Sequence, residues 1–86
     1  MNTFKLTVSS PDGDLFSGSC VKLDVRAAEG DLAVMAGHIP FMTSVVRGSC
    51  ILHLEDGTRR EAFTEGGLLS VDKESVTLIS GSFRFG

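Results

Sequence analysis

An 86-residue chain with 42% hydrophobic and 22% charged residues has material for one core and too ordinary a composition for disorder. Its net charge is −3, and its eight basic residues are scattered from Lys5 to Arg84 with no stripe interleaved by aromatics, which argues against nucleic acid as a partner. No apolar stretch approaches the ~20 residues of a membrane-spanning helix, and the N-terminus lacks the pattern of a signal peptide, so any work at a membrane is expected through partners.

Along the chain, Phe4, Leu6 and Val8 alternate with Lys5 and Thr7, which predicts a strand with one dry and one wet face. Pro11-Asp12-Gly13 predicts the turn that follows. Leu15-Phe16-Ser17-Gly18 leads into Val21, Leu23 and Val25, which alternate with Lys22, Asp24 and Arg26 as a second strand. Glu29-Gly30-Asp31 and Ala36-Gly37-His38 predict turns on either side of a short apolar run, and Arg47-Gly48 predicts another. Cys50, Leu52 and Leu54 then alternate with His53 and Glu55. Asp56-Gly57, between Ile51–Leu54 and Arg60–Phe63, is the strongest hairpin signal, because Asp-Gly supplies the positive φ that a tight loop demands. Gly66-Gly67 predicts a bulge or a close approach of two backbones, and Asp72-Lys73-Glu74 a turn. Val76 and Leu78 flank Thr77 in a further strand, and the tail from Ser80 to Gly86 alternates as a short last one. No window long enough for a helix carries a sustained helical stripe. Many short strands at this spacing predict an all-β antiparallel sandwich or barrel, one domain over residues 1–86.

Candidate chemistry is sparse. Cys20 and Cys50 lie in strand-like segments with no Cys-x-x-Cys and no histidine set beside them, and are expected as reduced, structural thiols of a cytosolic protein. Glu29 and Asp31 straddle a glycine, so both carboxylates project from one turn. They read as a solvated turn, as an acid–base pair if a cleft desolvates them, or as a polar contact surface. His38 in a loop and His53 on a strand make a poor metal set, being on separate elements with no carboxylate fixed beside them by the sequence. Gly30 and His38 echo half of a cupin motif, which also needs His-x-His and a following Glu, and neither is present. There is no Gly-x-Ser-x-Gly elbow, and Gly66-Gly67 lacks the Lys and Ser/Thr of a phosphate loop. No catalytic, metal-binding or cofactor-binding residue is assigned, and the domain is not expected to be an enzyme.

In order, the chain presents Phe4-x-Leu6-x-Val8, Pro11, Leu15-Phe16-Ser17-Gly18 and Val21-x-Leu23-x-Val25. It continues with Ala28-Glu29-Gly30-Asp31-Leu32-Ala33-Val34-Met35-Ala36-Gly37-His38-Ile39-Pro40, then Gly48, Glu65-Gly66-Gly67-x-Leu69-x-Val71 and Val76-Thr77-Leu78-Ile79. This composite, running from roughly Phe4 to Ser80, resembles the N-terminal domain of the bacterial ATP synthase epsilon subunit. Ala33 stands where that family usually has Gly, and Ala36 where it usually has Pro. The resemblance implies a flattened antiparallel β-sandwich of about ten short strands. It implies a non-catalytic central-stalk subunit that links the gamma subunit to the polar loops of the membrane c-ring and couples ion translocation to ATP synthesis or hydrolysis. It also implies a place on the cytoplasmic face of the inner membrane, held there through partners, with no nucleic acid and no cofactor.

By the same resemblance Glu29 and Asp31 face the c-ring, with Asp31 in contact. His38, Met42 and Thr43 fall toward the junction of gamma and ring, with Ser10 on the same edge. The two-helix C-terminal hairpin of typical members is expected to be absent, since the sequence stops at Gly86 where it would begin. Two other readings stay open: a stand-alone β-sandwich module that binds a protein or ligand through these loops, and a cupin-like metalloenzyme.

Overall fold

Period-two alternation becomes seven strands in the computed structural model, which describes residues 2–86. They are β1 (Phe4–Ser10), β2 (Gly13–Ala27), β3 (Gly30–Met35), β4 (Phe41–Leu54), β5 (Arg59–Val71), β6 (Ser75–Ile79) and β7 (Arg84–Phe85). The strand order is β1-β6-β5-β4-β2-β3, and β2 pairs again with β1, so five strands close on themselves while β3 extends β2 and β7 extends β5. The alternating residues of the closed strands meet inside. Leu6, Leu23, Leu52, Leu69 and Leu78 are fully buried there with Val8, Val34, Val71, Val76, Cys20 and Cys50. Each such leucine contributes about 2 kcal/mol by leaving water.

β2, β4 and β5 are long because they pass through bends instead of stopping at them. β2 pairs with β1 from Gly13 to Cys20 and then with β3 and β4. β4 parts from β2 midway, where Val46 to Cys50 stand against only Val25 and Arg26. β5 carries β7 at Ala62 and Phe63 and β6 from Leu68 to Val71. The expected count of about ten short strands is thus corrected to seven, because the chain keeps its ladder through each bend. Arg47-Gly48 is likewise no turn: it lies inside β4, opposite the bend of β5 at Thr64 to Gly67. Gly66 adopts φ +145°, and a Cβ on Gly67 would collide with the carbonyl of Ile79, so the Gly-Gly pair does mark a close backbone approach.

Two other expectations need amending. The sheet is mixed, not wholly antiparallel: β1 and β6 pair in parallel from Lys5↔Ser75 to Ser9↔Ile79, which the long intervening chain makes possible. Flattening is slight, since the extents are 31 × 24 × 21 Å and closure rounds the cross-section. The Asp56-Gly57 hairpin forms where it is predicted. Gly57 takes φ +88°, and the Thr58 side chain, together with the Thr58 N–H that donates to Asp56 Oδ1 at 2.8 Å, holds the Asp56 carboxyl below its ordinary value. At the β5 bend the buried Thr64 and Ser80 hydroxyls lie 2.7 Å apart, so one donates to the other, and the remaining proton goes to the Gly66 carbonyl, which lies within 3.0 Å of both. Every buried side-chain polar atom among the described residues finds a partner.

Candidate docking surfaces

Ala28 and Glu29 turn the chain from β2 into β3, and Gly30 follows at φ +127°, where a side chain would be strained. The Ala28 N–H donates to the Ser44 carbonyl of β4 at 3.0 Å, which seats this turn against the start of β4. Glu29, Asp31, Met42 and Thr43 meet there. With Leu32 and Phe41 they line a concavity of about 300 Å³ that has apolar walls and two carboxylates at its rim. The Asp31 side chain is 81% exposed, and its Oδ1 lies 3.4 Å from Arg26 Nε across the β2–β3 ladder. An exposed pair of this kind contributes about 0–1 kcal/mol. Carboxylates so well solvated offer charge to a partner; they lack the desolvation that acid–base work requires.

Met42 and Thr43 are neighbours on a strand and point opposite ways. Met42, 64% exposed, stands on the outer face of β4. Thr43 shares the phase of buried Val45 and pairs with buried Leu69, reaching the surface where the concavity opens. His38 has a local role: its Nδ1–H donates to the Met35 carbonyl at 2.8 Å, and its ring lies 6.3 Å from that of Phe41. With Gly37 at φ +86°, this bond closes the loop and leaves Ile39 83% exposed. Ser10 closes a different hairpin, its Oγ donating to the Gly13 carbonyl at 3.0 Å and accepting from the Asp12 N–H at 3.2 Å. β6 and β5 lie between β1 and β4, so Ser10 is set apart from the other five residues.

A second surface escaped the sequence reading. On the outside of β4, β5, β6 and β1, one row runs Met42–Ser70–Thr77–Thr7 and the next Ser44–Leu68–Ile79–Ser9. No charged residue stands in either row, and Met42, Leu68 and Ile79 are exposed, with Val46 beside them on β4. The signal was present: Leu68 and Ile79 are large apolar residues in the wet phase of strands whose dry phase is Leu69, Val71, Val76 and Leu78. Alternation marks the core, and a large hydrophobe out of phase with it marks a contact surface.

Elsewhere the polar clusters are structural. His53 Nε2 lies 2.8 Å from Asp24 Oδ2, with Lys22 Nζ 3.7 Å from Oδ1 of the same carboxylate. His38 is on another element, and among the described residues no three His, Cys, Asp or Glu side chains gather as a metal site. Cys20 and Cys50 are free, and burial pushes each thiol up to about 11.

The fold and these surfaces define a small all-β domain suited to contact with other chains. Residues 3–85 match the model of the family described as ATP synthase, Delta/Epsilon chain, beta-sandwich domain, and the chain belongs to that family. Among solved structures it is similar to a chain of the Euglena gracilis mitochondrial ATP synthase, in an OSCP/F1/c-ring structure, with a TM-score of 0.90 at 20% identity over 96% of this chain. It is also similar to a chain of the Tetrahymena thermophila mitochondrial ATP synthase, in a central stalk/c-ring structure, with a TM-score of 0.76 at 12% identity over 96% of this chain. It spans 53% and 66% of the length of those two chains.

Proposed function

We propose that this chain is the β-sandwich domain of a non-catalytic central-stalk subunit of an F-type ATP synthase, joining the gamma subunit to the polar loops of the c-ring. The observation that carries this reading is the family match over residues 3–85. The chain's similarity to chains from a c-ring structure and a central-stalk structure of two mitochondrial ATP synthases supports it. The two surfaces give it a physical form. The uncharged outer face around Met42, Leu68 and Ile79 suits the gamma subunit, because buried apolar anchors supply most of the affinity of such contacts. The acidic rim of Glu29 and Asp31 suits the polar loops of the ring, where exposed charge orients more than it binds. Met42 borders both surfaces, Thr43 lines the acidic concavity, His38 sets the adjoining loop, and Ser10 lies at the far side of the outer face. The domain reaches the membrane through these partners, which for a bacterial parent means the cytoplasmic face of the inner membrane.

A titration of isotope-labelled chain with purified gamma subunit tests the assignment. The expected result is a stoichiometric complex with methyl shifts at Met42, Val46, Leu68 and Ile79. Absence of a complex, or shifts that spare all four methyl-bearing residues, would overturn it.

A further inference from the structure

β3 is an edge strand, paired with β2 on one side and with no described strand on the other. Edges of this kind are usually blunted by shortness, proline, lysine or a bulge. β7, the other added strand, is two residues long, with the Arg60 guanidinium 3.7 Å over the Phe85 ring and that of Arg84 5.1 Å from the Phe63 ring. β3 has none of these guards: six residues, no Pro, no Lys and no register shift.

His38 reveals which backbone groups face outward. Its Nδ1 lies 2.8 Å from the Met35 carbonyl oxygen and 3.3 Å from the Met35 nitrogen, so both Met35 groups point away from β2 and the imidazole covers them. Period two turns the N–H and C=O of Ala33 and Asp31 the same way, and among the described residues no side chain hydrogen-bonds to those groups. The Asp31 and Ala33 side chains sit at the rim of a second concavity, of about 640 Å³, whose walls include Asp24, Arg26, Gly48 and Ile51.

We propose that the β3 edge from Asp31 to Ala33 docks an extended segment of a partner protein as an added strand, with a basic residue opposite Asp31 and a large apolar residue opposite Ala33. The backbone ladder supplies affinity and the two side-chain positions supply selectivity. Asp31 is the one charge on β3 and meets Arg26 on its inner side alone, so its outer side is left for a cation. Ala33 is small and borders the concavity, which leaves room for a large neighbour. His38 ends the ladder at Met35. A second copy of this chain, added antiparallel about Ala33, would set Met35 against Asp31 and waste the charge. The proposal does not depend on the stalk assignment.

The test uses the full chain and a capped heptapeptide, Thr-Val-Thr-Ile-Thr-Arg-Thr, which added antiparallel sets Ile opposite Ala33 and Arg opposite Asp31. At saturating peptide, amide exchange at Asp31 and Ala33 is expected to slow about tenfold or more. A peptide with Glu in place of Arg should bind several-fold more weakly. Ala33→Pro removes an outward N–H without touching the β2 ladder and should lose binding. Should that variant misfold, N-methylation of the peptide isoleucine tests the same ladder on the unaltered chain. Unchanged exchange at millimolar peptide, equal binding by the N-methylated peptide, or protection of both amides in the free chain that vanishes on dilution would each overturn the proposal, the last by identifying a second copy as occupant.

Discussion

A methyl group added at Gly67 has nowhere to go. Its Cβ would run into the Ile79 carbonyl and lie 3.1 Å from the Ser80 Cβ, so Gly67→Ala must push β6 from β5 where Leu68↔Ile79 begins their ladder. A cost of about 2–3 kcal/mol is expected. Gly81→Ala, where a Cβ meets nothing within 4 Å, is the control, and equal urea midpoints for the two variants would rule the close approach out. The cysteines make a different prediction. Burial raises both thiols from 9.0 to about 11, whereas in the unfolded chain they ionise near the ordinary value. Between those values the unfolded state sheds protons that the folded state keeps, so stability is intact below pH 9 and falls as pH rises toward 11. The slope is about 1 kcal/mol per pH unit for each thiol. Urea unfolding at neutral and alkaline pH measures it, and replacing Cys20 and Cys50 together by Ala should remove that part of the loss.

Elements were legible wherever local chemistry alone decides them. Phe4–Val8 and Val21–Val25 alternate and become strands, and Asp56-Gly57 turns because glycine can take φ +88° there. The bend at Gly48 is not separable from a turn by composition, since a bend inside a ladder and a break between strands use the same residue, whereas the paired glycines at Gly66-Gly67 do signal a close approach. Only the partner strand distinguishes bend from break, and β4 and β5 stay paired from Phe41↔Val71 to His53↔Arg59. The docking residues divide in the same way. Glu29 and Asp31 share a local turn, so their nearness to each other was readable; their nearness to Met42 and Thr43 depends on the Ala28 to Ser44 hydrogen bond, which is non-local. Element placement now orders two substitutions. Asp31→Ala removes one solvated charge and should weaken assembly with stalk partners by about 0–1 kcal/mol. Met42→Glu puts a charge into an uncharged apolar face, and an anchor of that kind lost and replaced by a desolvated carboxylate should cost about 2 kcal/mol or more. Retention of each variant in reconstituted stalk complexes compares them, and equal retention would contradict the ordering.

At the scale of the whole molecule, closure is what would suit this domain to the load-bearing stalk role proposed above. A passenger between a turning shaft and a ring must not shear, and an open sheet yields at its edges first. Here β1 sits between β2 and β6, so the five closed strands have no free edge among them. Leu6 lies at the seam, fully buried, pairing with Gly18 on one side and Val76 on the other. Leu6→Ala should cost about 3 kcal/mol by cavity formation, which in a domain of this size lowers Tm by about 10–20 °C. The informative readout is how that loss is distributed. If the barrel opens as one unit, the slowest amides of β2, β4, β5 and β6 lose protection by the same factor, because none can open while the ring of strands is shut. If β1 instead peels away alone, amides of β1 and β6 lose protection while the β4–β5 ladder keeps its own. That second pattern would mean the seam is a weak joint and that rigidity resides in the long β4–β5 hairpin, and the closed sheet would then not be the element that bears torque.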